Sequence, residues 1–171
     1  MFKWFLLISL MVCLKSDAQI IPLRKYESRE LKLPYISPEL LKPVLSFIDD
    51  MTAEGVDVSD IERLDSIIIV PDVQCLCKTK YAIGCSDEKL VQIKRLWYFS
   101  FYQNAYYRTI IWHELGHAIL RLPHYDDGGL HIMNSFIDPD MLMYDRYWPL
   151  FRTGYIRYYW YCRWSGKQFN Y

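Results

Sequence analysis

The amino-acid sequence predicts an α+β fold: a small twisted sheet packed on a central histidine-bearing helix, with one helix before it and one after it. Three observations carry this. Ser66 to Val70 (SIIIV) is a β-branched run ended by Pro71, and it reads as a buried strand. Two stretches, from Leu40 and from Gln103, place apolar residues at helical spacing. Near the end of the chain, aromatic residues repeat at the same period.

The chain opens with the layout of an export signal. Lys3 supplies a positive start, Phe5 to Leu14 form an apolar stretch, and Ser16 and Ala18 place small residues ahead of Gln19. The stretch is shorter than the roughly 20 apolar residues that a membrane span needs. The expectation is a cleaved signal peptide over residues 1–18 and one exported domain over residues 19–171, with no stable membrane insertion after cleavage. Lys and Arg number 20 against 20 Asp and Glu. A nucleic-acid partner would call for a basic excess, so none is expected. Four cysteines follow the signal segment: Cys75, Cys77, Cys85 and Cys162. In an oxidising compartment they suggest disulfides rather than a Cys-x-Cys metal site. The expectation is one short bridge to Cys85 and one bridge tying Cys162 to the rest.

The remaining elements follow in order. Residues 19–37 read as an irregular arm broken by Pro22 and Pro34. Ser37 is a candidate cap with Pro38 as the first helical residue. Leu40, Leu41, Val44, Leu45 and Ile48 then repeat at helical spacing up to a stop at Gly55. After the strand at Ser66–Val70, further strands are expected around Tyr81 to Cys85 and Leu90 to Leu96. A second helix should start near Gln103 and end before Pro123, since a residue preceding proline is pushed out of the α region. On a helical wheel Ile111, Leu115, Ala118 and Leu122 share one side, and Trp112, Ile119 and Leu120 fill much of the rest. A helix apolar nearly all round is a buried one. Tyr147, Phe151, Tyr155, Tyr158 and Cys162 mark a last helix, with Arg146, Arg152, Arg157 and Arg163 between them. It reads as an amphipathic helix packed beneath the central one. The other reading is an aromatic, basic surface for glycans or anionic lipid.

Into the buried central helix the sequence places His113, Glu114 and His117. Residues four apart lie about 40° apart on one face and one turn along. Both imidazoles can therefore bind one zinc ion at roughly 2.0–2.1 Å. Glu114, about 100° round from His113, sits beside the metal, placed to take a proton from a water that the metal acidifies. Unpaired, such buried groups cost on the order of several kcal/mol. A third ligand is needed. No glutamate follows Glu114, which removes a downstream glutamate ligand on a second helix. His124 comes straight after the forced helix exit at Leu122-Pro123 and is the leading candidate, with Asp126, Asp127 and His131 as fallbacks.

These residues resemble the metzincin clan of zinc peptidases, whose motif is HExxHxxGxxH followed by a methionine in a tight turn under the metal. His113-Glu-Leu-Gly-His117 matches the first half residue for residue. Leu120 stands at the clan's glycine, Pro123 at its third histidine, and His124 one position later. His131-Ile-Met133-Asn-Ser135 looks like the methionine turn. The resemblance implies a secreted zincin-like metalloendopeptidase, with zinc on His113, His117 and His124. It further implies Glu114 as general base, Met133 beneath the metal, and a peptide or protein substrate. The clan's glycine makes a sharp turn that Leu120 cannot make cheaply; one extra residue and a proline would make the reversal a step later. The alternative is a catalytically inactive secreted zinc-binding protein with an interaction role.

Overall fold

A computed structural model describes residues 24–26, 29–74, 82–95, 103–126, 131–135 and 148–167. The expected signal segment, Cys75, Cys77, Tyr81, Asp127 and Tyr147 lie outside the described residues. Within them the chain is α+β. Its strands are β1 (Arg24–Tyr26), β2 (Arg29–Leu31), β3 (Tyr35–Ile36), β4 (Ser66–Val70), β5 (Gly84–Ser86) and β6 (Leu90–Lys94). Its helices are α1 (Pro38–Ala53), α2 (Gln103–Ala118) and α3 (Trp148–Ser165), with a short 3-10 helix at Ser59–Arg63. β1 and β2 form an antiparallel pair. The main sheet has the order β3-β4-β6-β5, parallel except for β5, which runs antiparallel to β6 at one edge.

The arm expected to be irregular over residues 19–37 is therefore partly ordered. It carries the β1–β2 pair, and beyond Pro34 the two residues of β3 pair in parallel with β4, Ile36 opposite Ile67. Such short strands hold by pairing with distant chain and leave little periodic trace of their own. Ser37 occupies the residue before α1, but its hydroxyl does not cap the helix. It accepts the Ile69 N–H at 3.2 Å instead, tying the helix start to β4. Gly55 ends α1 as expected. Its φ of 72° is the left-handed conformation glycine tolerates best, and Val56 N–H closes back on the Met51 carbonyl at 3.0 Å. β4 is an inner strand, yet only Ile67 is fully buried, with Ile68, Ile69 and Val70 half-buried. In β6, Val91 and Ile93 are buried in alternation. Asp87 folds the β5–β6 turn by accepting the N–H groups of Lys89 and Leu90 at 2.7 and 2.8 Å.

α1 packs on β4 and α2 on β5 and β6, with the two helices against each other. Every residue from Ile110 to Ile119 is buried, as the all-round apolar pattern required. Trp112 is fully enclosed and meets Phe47 of α1 edge-to-face at 5.2 Å, and Trp148 and Tyr155 of α3 at 4.9 and 5.2 Å. This aromatic knot joins all three helices and holds α2 from behind. Arg152 of α3 adds an ion pair, 3.0 Å from Asp50 and 3.2 Å from Glu54 at the end of α1. One cysteine expectation is corrected. Cys85 is disulfide-bonded, but Cys162 is a free thiol. It is buried on the face of α3 turned into the core and hydrogen-bonded with Tyr158, and no other cysteine among the described residues reaches it.

Candidate metal centre

α2 presents His113, Glu114 and His117 in a nearly dry environment, about one-twentieth exposed each. Each histidine of α2 is oriented from its far side by a backbone carbonyl. His113 Nδ1 donates to Ile132 O at 2.7 Å, and His117 Nδ1 donates to Leu122 O at 2.6 Å. A carbonyl only accepts, so in neutral imidazoles the proton sits on Nδ1 and the lone pair on Nε2. The two Nε2 atoms face each other at 3.1 Å, and His124 Nε2 lies 3.1 Å from that of His117. Two bare lone pairs at that distance repel unless an electrophile sits between them. A tetrahedral zinc with bonds of about 2.0–2.1 Å holds ligand nitrogens roughly 3.3 Å apart, close to what is seen. His113, His117 and His124 are thus close enough together to hold one metal ion.

The path to His124 runs through a reversal that the sequence does not announce. α2 ends at Ala118, and Arg121 takes a left-handed φ of 57°. Leu122 N–H then bonds back to Gly116 O at 2.9 Å, its carbonyl holds His117, and Pro123 leads into His124. The turn comes one residue after Leu120. An arginine there costs about 1–2 kcal/mol that glycine would not.

Met133 is fully buried beneath α2. A β-carbon added at Gly116 would stand 2.7 Å from Met133 Sδ and 2.6 Å from the Tyr155 hydroxyl. Gly116 is therefore glycine for space. Tyr155 donates to the Trp112 carbonyl at 3.0 Å from below. The residues around Met133 form a turn, with Asn134 N–H on His131 O at 3.0 Å and Tyr125 N–H on Met133 O at 2.8 Å. Gly116→Ala is expected to cost about 1–3 kcal/mol by overpacking. That is a fall of about 2–4 °C in Tm per kcal/mol for a chain of this size, measured by thermal melting. Metal affinity should fall with it, because the displaced turn carries the Ile132 carbonyl that orients His113.

Two fallback ligands have other work. Asp126 accepts from both the N–H and the hydroxyl of Ser135, clamping the loop after His124 to the methionine-bearing turn. His131 accepts the Met133 N–H at Nδ1 and stacks among Tyr125 and Tyr158 at 4.8 and 5.1 Å. Neither belongs to the convergent cluster.

Glu114 turns towards the sheet edge. Its carboxyl lies against Gly84, where an added β-carbon would stand 2.5 Å from Oε1, and it is hydrogen-bonded by Ser86. The sequence pattern marks neither Gly84 nor Ser86 as a site residue. A glycine inside a strand pattern was the available signal, since it marks a close approach. Burial pushes the Glu114 carboxyl up to about 8, against a smaller downward pull from Ser86. Burial first, and the neighbouring imidazoles second, push His113 down to about 3 and His117 down to about 4.

These shifts contribute to the pH dependence of the metal-free protein. The histidines bind protons near 6.5 when unfolded but only near 3 and 4 when folded, so their stability is full above 6.5 and lost as pH falls below it. Glu114 behaves oppositely: from its unfolded value of 4.5 to about 8, its burial costs stability progressively as pH rises. Each group changes stability by about 1.4 kcal/mol per pH unit inside its window. Between 4.5 and 6.5 the rising terms of His113 and His117, joined by His124, which burial also holds below its ordinary value, outweigh one falling term, and above 6.5 only the falling term remains. Denaturant unfolding of the chelator-treated protein is expected to show maximum stability near pH 6.5, with Glu114→Gln removing the decline above it.

The chain matches no protein-family model, no curated protein and no solved structure.

Proposed function

We propose that this chain is a secreted zinc-dependent metallopeptidase of metzincin-like type, hydrolysing peptide bonds in peptide or protein substrates. One observation carries the reading: the imidazoles of His113, His117 and His124 converge through Nε2 beside a buried glutamate on the same helix. His113, His117 and His124 would hold the metal. When bound, zinc would polarise the scissile carbonyl and make water acidic enough to attack near neutral pH. Glu114 would take the proton from the attacking water and pass it to the departing amine. Burial raises the Glu114 carboxyl, and a bound dication nearby would draw it back down, leaving it a competent base at neutral pH. Ser86 holds the carboxyl, and Met133 supports the turn that orients His113. β5, the last strand of the sheet among the described residues, lies next to Glu114, where an extended substrate would pair.

The test is cleavage of an unfolded protein substrate by the purified chain, followed by the appearance of new amino termini. Activity that is abolished by a chelator and restored by zinc is the expected result. A chain that binds zinc but cleaves no unfolded protein would instead be the inactive zinc-binding protein.

A further inference from the structure

α3 divides cleanly along its length. Tyr155, Ile156, Tyr158, Tyr159 and Cys162 face the core. The opposite stripe carries Leu150, Arg157, Trp160, Tyr161 and Trp164, which recur at helical spacing and are all exposed. An exposed stripe on a soluble surface is ordinarily charged and mixed in sign. This one has three aromatic rings in its last two turns, Trp164 being 96% exposed. Residues 148–167 contain no Asp or Glu. Their exposed cations are Arg157, Arg163 and Lys167, and none of these forms a salt bridge among the described residues. Lys167 sits over the Tyr161 ring at 5.3 Å. The segment that follows, Gln168 to Tyr171, adds two more aromatic residues and no acid.

Tryptophan and tyrosine concentrate at the headgroup level of a bilayer, where a flat amphipathic ring has one apolar and one wet side. Arginine and lysine add attraction to anionic headgroups. A helix held in the interface carries Trp, Phe or Leu at the headgroup boundary and Lys and Arg beside it to meet anionic headgroups. α3 meets each condition, and its opposite face is already committed to α2. No helix among the described residues is long and apolar enough to cross a membrane, so contact through α3 would be peripheral.

We propose that the outer face of the C-terminal half of α3, built from Trp160, Tyr161 and Trp164 with Arg157, Arg163 and Lys167, docks on an anionic lipid surface. The reading is independent of the metal centre.

The experiment titrates the full chain with phosphatidylcholine vesicles whose acyl chains are brominated, with and without roughly one-third phosphatidylserine. Bromine quenches only tryptophans that reach the acyl boundary. Quenching is expected with the anionic vesicles and little with the neutral ones. Trp160→Phe with Trp164→Phe should remove most of it. Arg157→Glu with Arg163→Glu should move the midpoint to at least about tenfold more lipid. All four positions are exposed, so the far-UV spectrum and metal content should not change. Absence of quenching, or equal quenching in the double tryptophan variant, would overturn the proposal. So would a midpoint unmoved by charge reversal. Retention on an anionic polysaccharide without lipid quenching would assign the face to a glycan. A dimer abolished by the same substitutions would assign it to a second copy. Either result would equally overturn the lipid reading.

Discussion

His124→Ala is expected to weaken zinc binding by at least about 100-fold, whereas His131→Ala should leave it within a few-fold of the parent. The two histidines flank the same loop, yet they face different neighbours. His124 Nε2 lies 3.1 Å from His117 Nε2, completing a three-nitrogen cluster. His131 is turned among Tyr125 and Tyr158, with its Nδ1 accepting the Met133 N–H. Loss of His124 removes a ligand outright, more than the loss of an outer hydrogen bond, which alone costs about 10–100-fold. Loss of His131 loosens the methionine-bearing turn and touches the metal only through His113. Competition against a chromogenic chelator separates the two. Metal loss in His131→Ala with retention in His124→Ala would reverse the ligand assignment and remove the metzincin-like reading.

Glu114→Gln is expected to keep the metal and lower kcat/KM by about 10²–10⁴-fold, the usual worth of a positioned general base. Glutamine fills the same space against Gly84 and can still accept from Ser86, so the fold around it should persist. It cannot accept a proton. His113 and His117 are each oriented by a backbone carbonyl rather than by Glu114. Zinc content and kcat/KM must be measured on the same preparation. A variant as active as the parent would exclude Glu114 as the base. One that lost the metal would make Glu114 part of the ligand set instead.

The parts of this site that the sequence made legible are those that follow from period and from proline. His113 and His117 share a face because they are four apart on a helix whose other positions are apolar. Pro123 bars a helix from running on to His124, but α2 already ends at Ala118 and the chain turns back at Arg121. What stayed hidden depends on contacts between distant segments. The Arg121 reversal uses a residue type that gives no warning of a left-handed conformation. Ile132 and Leu122 act through their carbonyls, which every residue possesses. Ser37 looked like a helix cap and serves β4 instead, and the arm expected to be irregular carries β1, β2 and β3. Cys162 followed the even count of cysteines on paper, but α3 turns it into the core as a free thiol.

His113, His117 and His124 together should form one catalytic zinc site, with a coordination position left for water and substrate. X-ray absorption at the zinc edge, on protein loaded to saturation and back-extracted of loose metal, tests it most directly. The expected result is one tightly held zinc per chain with three imidazole nitrogens and a non-protein oxygen, and one imidazole fewer in His124→Ala. A sulfur ligand, a closed shell of four protein ligands, or no tightly held zinc at all would contradict it.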